Sequence, residues 1–260
     1  PLTGSSASTA DEVRLYRNTT TITANSAKLE FAKGRLICSI NNSIYELNQY
    51  VSGTNNNLPT PIFTHLNTDY TFTQIIDTPS NIYVSGYNGI QSQIFKITVG
   101  DTGGISTLTG AVTVAEMPRG EIVYSMQYYL GFILIGTNRG VRVAEIQGDG
   151  SLVYGPLLWE ASQTVYQIAV SDRFAWVTTK VGTNAGLVRI DLSTQIDTLV
   201  FPYANDLEAL GVSAECTGVA FAGSSNRIIF SAAANYFYVQ SASVLRSSGY
   251  ITTGKIRFNT

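Results

Sequence analysis

Charge is what this 260-residue sequence has least of. Asp, Glu, Lys and Arg make up 13% of it, about half the quarter that is usual for a soluble domain. Ser, Thr, Asn and Gln carry the polarity instead. With a net charge of −2 there is no electrostatic case for nucleic acid or for an anionic membrane as partner. No apolar run reaches about 18 residues, so no segment reads as a bilayer-spanning helix or as membrane-inserted. Histidine occurs once, which leaves a Ser-His-Asp or Cys-His arrangement only His65 to use. That residue sits in the polar stretch His65-Leu-Asn-Thr-Asp69 and reads as an exposed loop side chain. One histidine, two distant cysteines and no Asp-rich loop serve neither zinc nor calcium, so neither metal nor cofactor is expected. Gly148-Asp-Gly150 and Asp101-Thr-Gly-Gly104 read as hairpin turns, and no Gly-rich piece has the spacing of a phosphate-cradling loop. No secretory signal opens the chain. It starts at Pro1 and stops at Asn259-Thr260, just after the strand-like Lys255-Ile-Arg-Phe258, and reads as a piece cut from a longer polypeptide.

What the sequence has is a repeated hairpin. Residues 35–47 (RLICSINNSIYEL) read as two apolar strands around a polar tight turn. The pattern returns at 81–97, 132–146, 173–192 and 227–240. In each copy the first strand ends at a small residue: Ser39, Ser85, Gly136, Thr178, Ser231. The next strand has the form Ile44-Tyr-Glu-Leu47, repeated as Ile94-Phe-Lys-Ile97, Val143-Ala-Glu-Ile146 and Arg189-Ile-Asp-Leu192. Copies start about 40–55 residues apart, the spacing of propeller blades.

Each repeat expands to four strands. An inner strand precedes the hairpin: Lys28 to Phe31, Phe72 to Ile76, Ile122 to Met126, Val165 to Ala169, Gly218 to Phe221. Turn-formers Gly34, Pro79, Gly131, Asp172 and Gly223-Ser-Ser link it to the hairpin. The second strand is apolar on both faces, as in Phe132-Ile-Leu-Ile135, which suits a strand sandwiched between neighbouring sheets. Outer strands are expected at Pro61 to Thr64, Ala111 to Val114, Val153 to Trp159 and Thr198 to Phe201. Pro61, Pro156 and Pro202 fit there because an edge strand can spare an N–H. The fold expected is all-β: a five-bladed β-propeller of four-stranded antiparallel blades over 11–249, after a linker or tail at 1–10. The orphan strand Val13 to Tyr16 would complete the last blade and close the ring. Residues 250–260 would be an exit strand to a further domain, or would compete for that same edge. The stretch 205–215 (NDLEALGVSAE) has room for one short helical turn. Cys38 and Cys216 read as buried thiols, although the repeat sets their blades side by side, which leaves a bridge open.

Five-bladed rings include glycosidases, which need an acid and a base or nucleophile facing each other across the bond. Glu30, Glu121 and Glu215 lie on or beside inner strands, with Asp69 and Asp77 near. Glu30 alternates with Leu29 and Phe31, so it can face the channel. Glu121 and Glu215 stand where strands begin, a place for solvated charge. No acid recurs at one blade position, and no enzyme is expected. Binding fits the composition better. The loops gathered on one face of such a ring carry Tyr70, Tyr87, Asn88, Asn138, Arg139 and Asn184, side chains that can stack on sugars or hydrogen-bond their hydroxyls and that turns also favour. The 15 tyrosines suit a protein interface as well.

The segment 13–47 (VRLYRNTTTITANSAKLEFAKGRLICSINNSIYEL) resembles the propeller region of minor tail proteins of tailed bacteriophages, particularly those infecting actinobacteria. The closing 248–258 (SGYITTGKIRF) resembles the exit from that propeller into the next domain. The resemblance implies a structural and interaction module of the virion, at the tail tip or baseplate and assembled in the host cytoplasm. It implies other phage tail proteins as partners, with contact to the host surface, and supplies no catalytic residues. The alternative function is a lectin-like receptor binder for host cell-wall glycan; a polysaccharide-cleaving enzyme comes last.

Overall fold

The computed structural model describes residues 26–47, 60–102, 105–222, 227–232, 236–241 and 243. All regular structure there is β, in five antiparallel sheets that follow one another along the chain. The first is β1 (Ala27–Ala32), β2 (Arg35–Ile40), β3 (Ser43–Glu46) and β4 (Phe63–Thr64). The second is β5 (Thr71–Asp77), β6 (Ile82–Asn88), β7 (Gln91–Thr102) and β8 (Ile105–Glu116). The third is β9 (Val123–Tyr129), β10 (Phe132–Thr137), β11 (Val141–Ile146) and β12 (Leu152–Tyr154). The fourth is β13 (Ile168–Ser171), β14 (Phe174–Val181), β15 (Asn184–Asp191) and β16 (Tyr203–Glu208). The fifth has three described strands, β17 (Cys216–Ala222), β18 (Arg227–Ala232) and β19 (Tyr236–Val239). Each sheet is a meander in chain order, so every repeat read from the sequence becomes one sheet.

Short turns set these registers. Lys33-Gly34 and Leu130-Gly131 join first to second strands with positive φ at both residues (52° and 72°, 52° and 88°). That is the backbone of a two-residue hairpin whose twist matches its strands.

The apolar second strands have their explanation in four cores, one between each pair of consecutive sheets. Ile37 and Ile44 of the first sheet pack with Phe72, Val84 and Phe95 of the second. On its other face the second sheet gives Tyr83 and Ile94 to a core with Ile133 and Ile135 of the third. Leu134, facing the opposite way from Ile133 and Ile135, joins Val177 and Ile190 of the fourth sheet. Trp176, between Ala175 and Val177, packs with Val219 and Phe230 of the fifth. A strand with period-two side chains thus serves two cores at once. Each fully buried aliphatic side chain contributes about 1.5–3 kcal/mol. Among the described residues no fifth core joins the last sheet to the first. Leu29 and Phe31 of β1 are exposed, as are Tyr236 and Phe237 of β19.

Four details differ from the sequence reading. The first strand of the fourth sheet is Ile168–Ser171 rather than Val165 to Ala169. The outer strand of the fourth sheet is Tyr203–Glu208, after Pro202, rather than Thr198 to Phe201. The earlier stretch instead closes a tight loop bridged between Asp197 and Val200, where Leu199 and Phe201 turn inward to the core. Because β16 runs to Glu208, residues 205–208 pair as a strand where a short helical turn was expected. The third sheet's outer strand is only Leu152–Tyr154 and stops before Pro156, whose ring cannot donate to the ladder. The expected segments 1–10, Val13 to Tyr16 and 250–260, and the Gly223-Ser-Ser link, lie outside the described residues. Both cysteines are free and buried. Burial pushes the Cys38 thiol up and the Cys216 thiol to about 12, which keeps both protonated and unreactive.

Candidate functional site

The first strands of all five sheets meet around one cavity of about 560 Å³. Its wall takes Lys28 from the first sheet, Thr73 and Gln74 from the second, Tyr124 and Gln127 from the third, Tyr166 and Gln167 beside the fourth, and Thr217 from the fifth. The end at which these strands begin also holds the turns between second and third strands. Gly120 N–H donates to Ile90 O at 2.9 Å there, and Asn138 N–H to Ile122 O at 3.0 Å.

A repeated irregularity aims the wall. In three sheets the ladder between first and second strands slips at equivalent places. The slip falls between Phe72 and Gln74, opposite Gly136 and Thr137, and between Cys216 and Gly218. The unpaired residues are Thr73, Tyr124 and Thr217, and all three line the cavity. A bulge of this kind bends the strand and re-aims the extra side chain. In the fourth sheet the N–H groups of Tyr166 and Gln167 both donate to Thr178 Oγ1 at 3.1 Å, just before β13 begins.

In these three sheets the small residue of the second strand, Ser85, Gly136 or Ser231, sits beside the slip. Ser85 Oγ lies 2.8 Å from Thr73 Oγ1, and Ser231 Oγ lies 3.0 Å from Thr217 Oγ1. At Gly136 a Cβ would stand 2.3 Å from Ser125 Oγ and 2.5 Å from Val165 Cγ1, so no larger residue fits without displacement. Three of the five small residues in the repeated pattern, Ser85, Gly136 and Ser231, thus mark bulges, while no slip occurs in the ladders between first and second strands of the sheets that hold Ser39 and Thr178.

Three tyrosines run along the wall. Tyr87 and Tyr124 have ring centroids 6.3 Å apart, and Tyr124 and Tyr166 are 6.0 Å apart. The hydroxyl of Tyr166 donates to Glu215 Oε2 at 3.2 Å. Burial raises the Tyr124 hydroxyl above its ordinary range, and its tyrosine neighbours add to the shift. It is a neutral donor and acceptor near neutral pH. Gln74 and Gln127 donate to the carbonyls of Ile75 and Tyr128, and Gln167 Oε1 accepts from Val219 N–H at 3.2 Å, joining the fourth and fifth sheets.

Of the residues expected to bind, only Tyr87 reaches the cavity wall. Tyr70 lies in the core, with its hydroxyl unpartnered among the described residues and pushed strongly upward by burial. Its ring stacks on His65 at 3.9 Å, so the lone histidine is a half-buried cap on an aromatic cluster with Phe63 and Phe95, where a solvated loop residue was expected. Asn138 holds its turn, accepting from Ile122 N–H at 2.8 Å and donating to Gly120 O. Arg139 pairs with Glu160 at 3.2 Å on the surface. Asn184 donates to Glu208 at 2.7 Å, and Asn88 is half-buried where β6 ends.

The acids do not converge either. Glu121, expected to be solvated, is fully buried and held bidentately by Arg142 at 2.8 Å for both contacts. Arg142 also donates to Gly155 O at 2.9 Å. Glu30 is half-buried and raised by desolvation, with Asp77 adding repulsion. Asp77 pairs with Lys33 at 3.1 Å. Glu215 meets a cavity-lining side chain, accepting from the Tyr166 hydroxyl. No group of three or more metal-ligating side chains occurs among the described residues, nor is any helix there long and apolar enough to cross a membrane.

Sequence reasoning had Tyr124 and Tyr166 inside its inner strands but did not single them out. The signal available was the pair Val123-Tyr124 and Val165-Tyr166, an aromatic at the same place in two repeats. No family model and no curated protein matches the chain. The class that fold and cavity define is an all-β scaffold of five sheets, with a polar, tyrosine-lined cavity where their first strands meet.

Proposed function

We propose that the chain is a five-bladed β-propeller serving as a non-catalytic docking module, carried at the tail tip or baseplate of a bacteriophage. One observation carries the propeller reading: successive sheets share a core, four times over, while the first strand of every sheet lines the same cavity. Radial blades around an axis give that pattern, whereas a two-layer sandwich would bury one face of each sheet against one partner. The low charge favours a body that docks in a larger assembly. The tail setting rests on the resemblance of segments 13–47 and 248–258 to minor tail proteins, and its partners are then neighbouring tail proteins.

Ring closure belongs to the same proposal. The fifth sheet has three described strands, and β19 leaves Tyr236 and Phe237 exposed, which suits a further strand supplied by Val13 to Tyr16. Removing residues 1–17 then lowers the melting temperature by more than 5 °C. An unchanged melt defeats closure by that segment. Immunogold labelling of virions with an antibody to this module tests the setting. Label at the tail end is the expected result; label on the capsid, or none on the virion, overturns it.

A further inference from the structure

We propose that the cavity is a binding site for a neutral saccharide, held by the rings of Tyr87, Tyr124 and Tyr166 and by the amides of Gln74 and Gln127. This goes beyond the docking role and needs only the observed cavity, whether or not the module rides on a phage tail.

The ligand class follows from what the wall offers. Three tyrosines follow one another along the wall, with Tyr87 tilted 38° to Tyr124 at 6.3 Å and Tyr124 at 75° to Tyr166 at 6.0 Å, so the rings offer faces in more than one direction. Such rings accept the C–H faces of a pyranose and carry a hydroxyl that can take part in pairing, the Tyr166 hydroxyl as an acceptor because its proton goes to Glu215. Side-chain amides supply a donor and an acceptor each, which matches sugar hydroxyls, themselves both donor and acceptor. Charge is nearly absent from the wall. Among the described residues Lys28 is the only charged side chain that lines it, and Glu215 accepts from the Tyr166 hydroxyl. A single lysine makes a poor cradle for a phosphate or nucleotide, which several charge-assisted donors hold best. Glutamine, threonine and serine in the wall equally disfavour a purely apolar ligand, because their polar atoms would lose water without gaining partners. A cavity near 560 Å³ is in the range of small-molecule pockets, about 300–1,000 Å³.

The tyrosines are also set in place rather than loosely displayed. Tyr124 projects from a bulge fixed by Gly136 and Ser125. Tyr166 is held at both ends, its N–H on Thr178 Oγ1 and its hydroxyl on Glu215. Fixed side chains lose little freedom on binding, which favours affinity.

The test is saturation-transfer NMR on the purified chain. The probes are D-glucose, D-galactose, D-mannose, L-rhamnose and N-acetyl-D-glucosamine, with chitotetraose and cellotetraose as longer probes. Transfer to at least one probe is expected, with a Kd on the order of millimolar or below. Tyr124→Ala and Tyr166→Ala weaken it at least tenfold, and Tyr166→Phe weakens it less, since the ring remains. Tyr203→Ala, which removes an exposed tyrosine tilted against Trp159 outside the cavity, leaves binding unchanged. A melt of each variant confirms folding, and Gln127→Ala stands in should Tyr124→Ala fail to fold. No transfer from any probe, or equal binding by wild type and all folded cavity variants, overturns the proposal. Neither result bears on virion labelling, so this inference and the tail placement fail separately.

Discussion

The third sheet holds two polar regions that behave in opposite ways. On one side Glu121 and Arg142 are each other's partners, with the Gly155 carbonyl accepting a further N–H and the Tyr154 ring 5.4 Å from the guanidinium. On the other, Tyr124 and Gln127 face a cavity. Both regions grow from polar residues set among apolar ones. The first is turned inward and satisfied within the protein, so it ties β11 to the loop before β9. The second opens onto a space large enough for something else. A buried charge without its partner is costly, whereas a polar group in an open wall has water to fall back on. The same residue chemistry is therefore structural in one place and available for recognition in the other.

Arg142→Ala breaks this comparison most forcefully. It strands the Glu121 carboxylate in the core and is expected to cost about 3–5 kcal/mol, read as a lowered denaturation midpoint. A loss below about 1 kcal/mol would mean that water reaches Glu121. Next comes Gly136→Ala. The added methyl meets Ser125 Oγ and Val165 Cγ1 inside ordinary contact distance, and the overpacking is expected to cost about 1–3 kcal/mol. If its stability matches wild type, the small residue opposite the bulge is not sterically required.

Gln127→Ala, on the cavity side, should change stability by no more than about 0.5 kcal/mol. A large loss would move Gln127 into the structural class with Arg142. Glu30→Gln carries the smallest effect and depends on pH. Desolvation, and secondarily Asp77, raise the Glu30 carboxyl above its ordinary value of 4.5. Its favourable contribution is thus complete below the unfolded value and lost as pH rises through the folded one. The variant should melt slightly higher than wild type at pH 7 and match it at about pH 3.5. A variant that melts lower at pH 7 would show that the carboxylate is stabilised by a cation.

How far the chain could be read in advance varies by element. The hairpins from β2 to β3, β6 to β7, β10 to β11 and β14 to β15 stand where the repeated apolar strands and turn residues put them, because period-two patterning and turn residues are local properties, although β6 and β14 run on past Ser85 and Thr178, which read as strand ends. The fourth sheet's outer strand was misplaced because an apolar stretch, Leu199 to Phe201, fills a core instead of pairing. Propensity does not distinguish those two fates. Glu121 looked solvated because its partner lies 21 residues on, beyond any local pattern. Of the candidate site only Tyr87 was legible. Tyr124 and Tyr166 come to the cavity through a register slip and a hydroxyl that takes over two N–H groups. Neither leaves more than a faint trace in a single repeat.

By itself, then, the sequence determined the five repeats, the meander within each and the apolar character that demands burial on both faces. All of that follows from side-chain alternation and turn chemistry within a few residues. Only the tertiary structure decided which polar side chains would neutralise one another, as Glu121 and Arg142 do, and which would surround a shared space. Those outcomes depend on first strands from distant parts of the chain meeting at one place, and on bulges that redirect single side chains after the ladders have formed.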